Sequence, residues 1–244
     1  MTEHTADAGV FERLLEVQDH DTAIDQLGHR RSSLPARAEL AGVEGALAEL
    51  ARRAEALQTQ RQGLGTRQAA LERQIESSRA RRSDLERRMF GGQVTAARDL
   101  QAMDDEVKHL ARHVSELEDR EIEVMEALEP VDGELAGVTA EGEALGRRRE
   151  RLRGIIDESV REIDGELARH RAARAAVAAD VPADLLARYE RLRTKLSGTG
   201  AARLVGESCG GCHLALPAME VDRIRRAPPD EVLTCDQCGR ILVR

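Results

Sequence analysis

Apolar side chains recur along most of this chain at alternating steps of three and four. Between Leu40 and Met89 they are Leu40, Val43, Leu47, Leu50, Ala54, Leu57, Leu64, Leu71, Ile75, Leu85 and Met89. These fill eleven of the fifteen positions of a strict heptad, with Arg61, Gln68, Ser78 and Arg82 as the departures. From Leu100 to Ile156 fourteen of seventeen such positions are apolar, the exceptions being Glu121, Gly142 and Arg149. A period of 3.5 held this long describes helices wound about each other, not a helix lying on a globular core. Phe90-Gly91-Gly92-Gln93-Val94-Thr95 separates the two runs; its glycines can take the positive φ of a tight reversal, and Thr95 can cap the returning helix. The pattern predicts a mainly α fold: a long antiparallel coiled-coil hairpin within residues 1–180, turning near 90–95, with an arm of about 75 Å at ~1.5 Å per residue.

Charge supports the same pairing independently. Residues 36–89 hold eleven Arg against eight acids, whereas residues 96–149 hold seven basic residues against fifteen acids. A reversal centred between Gly92 and Gln93 places Arg67 near Glu118, Arg79 near Glu106 and Arg81 near Asp104, and brings Arg61 within a turn of Glu121. Exposed pairs of this kind are each worth roughly 0–1 kcal/mol, so they set register more than stability.

Outside the hairpin, residues 8–33 carry Val10, Leu14, Val17, Ile24 and Leu27 on one helical face, and Pro35 ends that helix. This segment is expected to pair with about 152–177. Pro130 lies inside the returning helix and should bend it. Pro182 opens a connecting helix within 181–200, with Leu185, Leu186, Tyr189 and Leu192 on its face, and Ser197-Gly198-Thr199-Gly200 closes it. Residues 201–244 change character, with the short β-prone runs Leu204-Val205, Val232-Leu233 and Ile241-Leu242-Val243, and a short helix near Ala218. The expected tail is a small C-terminal β module at the base of the hairpin.

Composition narrows the classes. The 244 residues are 34% charged and 1% aromatic, so the interior is a narrow aliphatic seam. A net charge of −8 argues against coating nucleic acid by bulk charge. No apolar run approaches a membrane span, and the first residues lack the basic and apolar regions of a signal peptide, so the expected location is the cytoplasm.

Chemistry concentrates in Cys209-Gly-Gly-Cys212 and Cys235-Asp-Gln-Cys238, two C-x2-C knuckles separated by 22 residues. Such turns aim two sulfurs at one point, and two of them complete a tetrahedron about a zinc ion. A 44-residue tail with few large apolar side chains needs that support. Four thiolates leave no open coordination position, so Cys209, Cys212, Cys235 and Cys238 point to one structural Zn(2+). Cys209-Gly-Gly-Cys212-His213 also fits a haem-attachment pattern, but that leaves the second knuckle unexplained. A dithiol or disulfide reading lacks a βαβ context and an oxidising compartment.

At this point the chain resembles the bacterial C4-type zinc-ribbon proteins with an N-terminal coiled-coil hairpin. The matching stretches are Met89 to Thr95 at the tip, Val181 to Arg193 before the ribbon, and Cys209 to Pro217 with Cys235 to Arg244 within it. The resemblance implies a zinc site at the four cysteines and a non-enzymatic role in binding protein or nucleic-acid partners in transcription and related regulation.

No Ser/His/Asp or paired-carboxylate arrangement stands out, and His109 with His113 lacks the Glu of a zinc-protease helix, so no enzyme is expected. Arg73 to Arg98 carries seven Arg against three acids. Arg82, Arg87, Arg88 and Phe90 are therefore candidate contacts for a phosphate backbone or an acidic partner, as are Arg223, Arg225 and Arg226 after the short helix. The resulting expectation is a monomeric adaptor for a protein partner, with no membrane and no small-molecule substrate. The alternative is direct DNA or RNA binding through the ribbon and the Arg-rich tip. A parallel dimeric coiled coil, of about twice 26.8 kDa, is the third reading.

Overall fold

Two long helices account for most of the chain, and their inward faces are the ones the heptads mark. A computed structural model describes residues 8–92 and 94–244. In order it holds α1 (Ala8–Ser32), α2 (Pro35–Phe90), α3 (Ala97–Ala178), α4 (Ala183–Lys195), β1 (Ala201–Val205), β2 (Ser208–Cys209), α5 (Ala218–Arg226), β3 (Leu233–Thr234) and β4 (Ile241–Val243). The chain divides into two units, residues 39–152 and the rest.

In the first unit α2 and α3 form the antiparallel hairpin. Leu71 and Ile75 pack with Val114, Leu117 and Val124, and Leu57 packs with Val131 and Val138. Every apolar residue counted above in the two runs is buried or half-buried. The register differs slightly from expectation. The ion pairs that cross the two helices, Arg53 with Glu134, Arg81 with Glu106, Arg148 with Glu39, Arg61 with Asp132 and Arg79 with Glu118, have partner numbers adding to between 187 and 197, all above the expected 185, so the reversal lies later in the chain. The cause is at the turn: α2 continues through Phe90 and α3 starts only at Ala97. Glu118 thus meets Arg79 in place of Arg67, Arg61 meets Asp132 and not Glu121, and Asp104 pairs with Lys108 on its own helix. Thr95 lies one residue outside the N-cap position, where the Ala96 carbonyl accepts hydrogen bonds from the amides of Asp99 and Leu100. Of the paired glycines only Gly92 has a positive φ, 69°. Gly91 is needed for another reason: a Cβ there would lie 2.8 Å from the Arg87 carbonyl oxygen. Pro130 does not break α3.

In the second unit α1 lies along the last part of α3, Leu27 packing on Ile163 and Leu167. Pro35 starts α2 after ending α1, its missing amide costing nothing in a first turn. The ribbon is a four-stranded sheet in the order β2-β1-β4-β3, with β1 parallel to β4 and the other pairs antiparallel. Strand alternation gives it two apolar faces. Ala201, Ile241 and Val243 pack on Val10, Phe11, Leu14 and Val17 of α1 and on Leu185 and Tyr189 of α4. Ala202 and Leu242 face the other way, onto Val221 and Ile224 of α5 and the buried Cys209 and Cys235.

Candidate metal centre

The β1–β2 hairpin carries Cys209 into the ribbon interior, and the chain then doubles back, the His213 amide donating to the Cys209 carbonyl at 2.8 Å. The β3–β4 turn does the same for the second knuckle, the Gly239 amide donating to the Cys235 carbonyl at 2.7 Å. All four sulfurs lie within 4.8 Å of one another. Cys209 Sγ is 3.9 Å from Cys238 Sγ, and Cys212 Sγ is 4.0 Å from Cys235 Sγ. A tetrahedron with Zn–S bonds of ~2.3 Å has edges of ~3.8 Å, so the donor set fits that ion. His213 stands outside the set, held at φ 60° beside the knuckle.

The knuckle glycines work in two ways. A Cβ on Gly211 would sit 2.5 Å from the Arg240 side chain, so that position needs bare backbone; Gly239 is chosen by its φ of 74°. The Gly211 amide donates to Cys209 Sγ at 3.4 Å. Burial pushes the Cys235 thiol up to about 12 and raises that of Cys209. At Cys238 burial acts the same way, but hydrogen bonds from the Arg240 backbone and side chain overcome it and bring the thiol to about 7. Metal binding has to displace the protons of the raised thiols, which the charge of a divalent ion does.

The six candidate arginines are spread over two places and mostly engaged. Arg223, Arg225 and Arg226 lie in the last turn of α5, not after it. Arg223 pairs with Glu220 and Arg226 with Asp222, while Arg225 donates to the Gly206 carbonyl. At the hairpin turn Arg87 pairs with Asp84, and Arg82 is half-buried beside Glu86. Phe90 is the outlier: its ring is 85% exposed. His109 and His113 stack on α3 with ring centroids 6.4 Å apart.

Residues 17–197 match the family described as CT398-like coiled coil hairpin domain, and residues 208–242 match the C4-type zinc ribbon domain. The chain belongs to the CT398-like coiled-coil hairpin family. Neither match is an enzyme family. With the converged thiols, the C4 match gives this family member one structural zinc ion. Two uncharacterised proteins of Mycobacterium tuberculosis, from strains CDC 1551 and H37Rv, are each 33% identical over 242 residues, covering 97% of both chains. A solved structure from Mycobacterium smegmatis matches with a TM-score of 0.86 at 25% identity, over 99% of this chain and 100% of that one. CT398 from Chlamydia trachomatis, at 19% identity and a TM-score of 0.67 over 96% and 97% of the two chains, shares the fold.

Sequence reasoning missed the polar node that holds the ribbon in this CT398-like chain. Asp21, 4% exposed, accepts a hydrogen bond from Tyr189 Oη on Oδ2 and one from Arg174 Nε on Oδ1, each at 2.8 Å. Burial, and then the bond to Asp21, pushes the Tyr189 hydroxyl far above its ordinary value, so it stays a donor. Gln18 binds both sides of the linker: its Nε2 donates to the Gly198 carbonyl at 2.9 Å and its Oε1 accepts from the Gly200 amide at 2.7 Å. Among 45 acids, no local pattern marks Asp21 as the buried one.

Proposed function

We propose that this chain is a non-enzymatic adaptor for protein partners, acting in transcription or related regulation. Its two binding surfaces are the hairpin turn in one unit and the ribbon in the other. Cys209, Cys212, Cys235 and Cys238 are the ligands of its structural zinc, and their task is to hold the ribbon surface in shape. The exposed Phe90 ring carries this reading. A large apolar side chain at the turn, beside Arg87 and Arg88, contributes nothing to the hairpin seam and is the kind of aromatic and arginine anchor that protein interfaces use.

The engaged state of the ribbon arginines favours protein over phosphate, because each would first have to leave an acid or carbonyl partner. Affinity capture with the full chain, with and without nuclease, followed by binding of the recovered partner at rising salt, tests the proposal. A protein interface predicts capture that survives nuclease, a weak salt dependence, and at least a tenfold loss in Phe90→Ala. Nuclease-sensitive capture with affinity falling steeply as salt rises would replace it with the direct nucleic-acid reading.

A further inference from the structure

We infer that His20 of α1 and His170 of α3 form a second transition-metal site, one that clamps the two helices together. The inference does not depend on the adaptor reading. The two Nδ1 atoms face each other at 3.1 Å, with ring centroids 5.3 Å apart and ring planes at 63°. An ion placed ~2.05 Å from both nitrogens would subtend about 100° between them, between the square or octahedral angle and the tetrahedral one. Imidazole nitrogen suits zinc, copper and nickel. The alternative is an N–H···N bond, which asks one ring to keep its proton on Nδ1 and the other to keep Nδ1 bare. A metal asks instead that both rings carry their proton on Nε2, so that two Nδ1 lone pairs meet at the same point.

Among the described residues only the four cysteines form a converged group of three or more donors, so water completes the coordination here. Both rings are half-buried, which leaves that water access. The site is therefore an exchangeable one, unlike the closed ribbon centre. His109 and His113 provide an internal comparison, since they share a single helix and their binding a metal would clamp nothing. The placement gives the ion leverage on the fold: His20 sits between Gln18, which holds the linker to the ribbon, and Asp21, which meets Arg174 one turn beyond His170.

The test uses the untagged full chain with its zinc in place, titrated with Ni(2+) under metal analysis and NMR. One nickel per chain beyond the retained zinc is expected, with paramagnetic broadening of the His20 and His170 ring signals and a rise in Tm. His20→Gln and His170→Gln should each weaken nickel binding at least tenfold, and His109→Gln should leave it unchanged. The broadening is read on the unsubstituted protein, so it decides even if a variant folds poorly. No added nickel, or broadening confined to His109 and His113, would reduce the pair to a hydrogen bond and overturn the site.

Discussion

Between residues 39 and 152 one kind of contact is repeated layer after layer, whereas the ribbon and the helices it packs on depend on a few contacts used once each. In the hairpin, losing one layer leaves the neighbouring layers in place, because each aliphatic residue touches only those within a turn or two. In the other unit, Asp21 joins α1, α3 and α4, and Gln18 joins α1 to the linker entering β1. Damage there separates elements. A periodic seam gives graded robustness, and a node gives a fixed placement for a functional surface.

The largest effect that separates the two regions is metal removal. Zinc binding in small finger peptides is worth on the order of 10–16 kcal/mol. The ribbon's strands are two to five residues long and two of its buried core residues are the ligating cysteines themselves, so chelation or Cys235→Ser should unfold β1 to β4. The hairpin contains no ligand and should keep its helical signal. Amide exchange that opens residues 201–244 while 57–138 stays protected is the expected result; uniform loss of protection would show that the seam is not self-sufficient.

Next in size is the node. Asp21→Ala leaves Arg174 and Arg193 facing a site without its carboxylate and takes the acceptor from a fully buried Tyr189 hydroxyl. Breaking a buried charge pair from one side costs about 3–5 kcal/mol, and since Arg174 keeps Glu190 and Arg193 keeps Asp25, the cost here should fall at the lower end of that range. Tyr189→Phe removes only one hydrogen bond and should cost about 1 kcal/mol. Urea denaturation measures both, and equal costs for the two would mean that the charge contributes nothing beyond that bond. In the seam, Leu117 is 1% exposed, and Leu117→Ala should cost about 2–5 kcal/mol. Its damage should stay local, leaving exchange around Val131 and Val138 unaltered.

The same contrast sets what could be read in advance. A seam is visible because backbone geometry fixes its period, so Leu40 to Ile156 announce themselves without reference to the partner helix. The zinc site is visible because C-x2-C is a local turn that aims both sulfurs by itself. The node is not local: positions 21, 174 and 189 acquire meaning only when three helices meet, and an isolated Asp in an amphipathic helix looks like any exposed acid. The hairpin turn falls between these cases. Its glycines marked where the chain reverses, but the cap moved from Thr95 to Ala96, because the length of a turn depends on how far each helix continues, and Phe90 is still helical.

The smallest expected effect lies at the edge of the node's unit, where Glu12 of α1 takes both guanidinium nitrogens of Arg203 in β1. Both side chains are about half exposed, so solvent and salt screen the pair and its contribution stays below about 1 kcal/mol. The hydrogen bond from Arg203, against a smaller opposing effect of burial, lowers the Glu12 carboxyl below its ordinary value of 4.5. A carboxyl lowered on folding stabilises the folded state above its unfolded value and loses that contribution as pH falls through the folded value. The stability difference between the native chain and Glu12→Gln should therefore be constant from pH 7 down to about 5, then shrink toward zero as the carboxyl protonates. It should also shrink at pH 7 when salt is raised, since the pair is exposed. No difference between the two proteins at any pH or salt would mean that the Glu12 charge contributes nothing, and that β1 is held to α1 by apolar contacts.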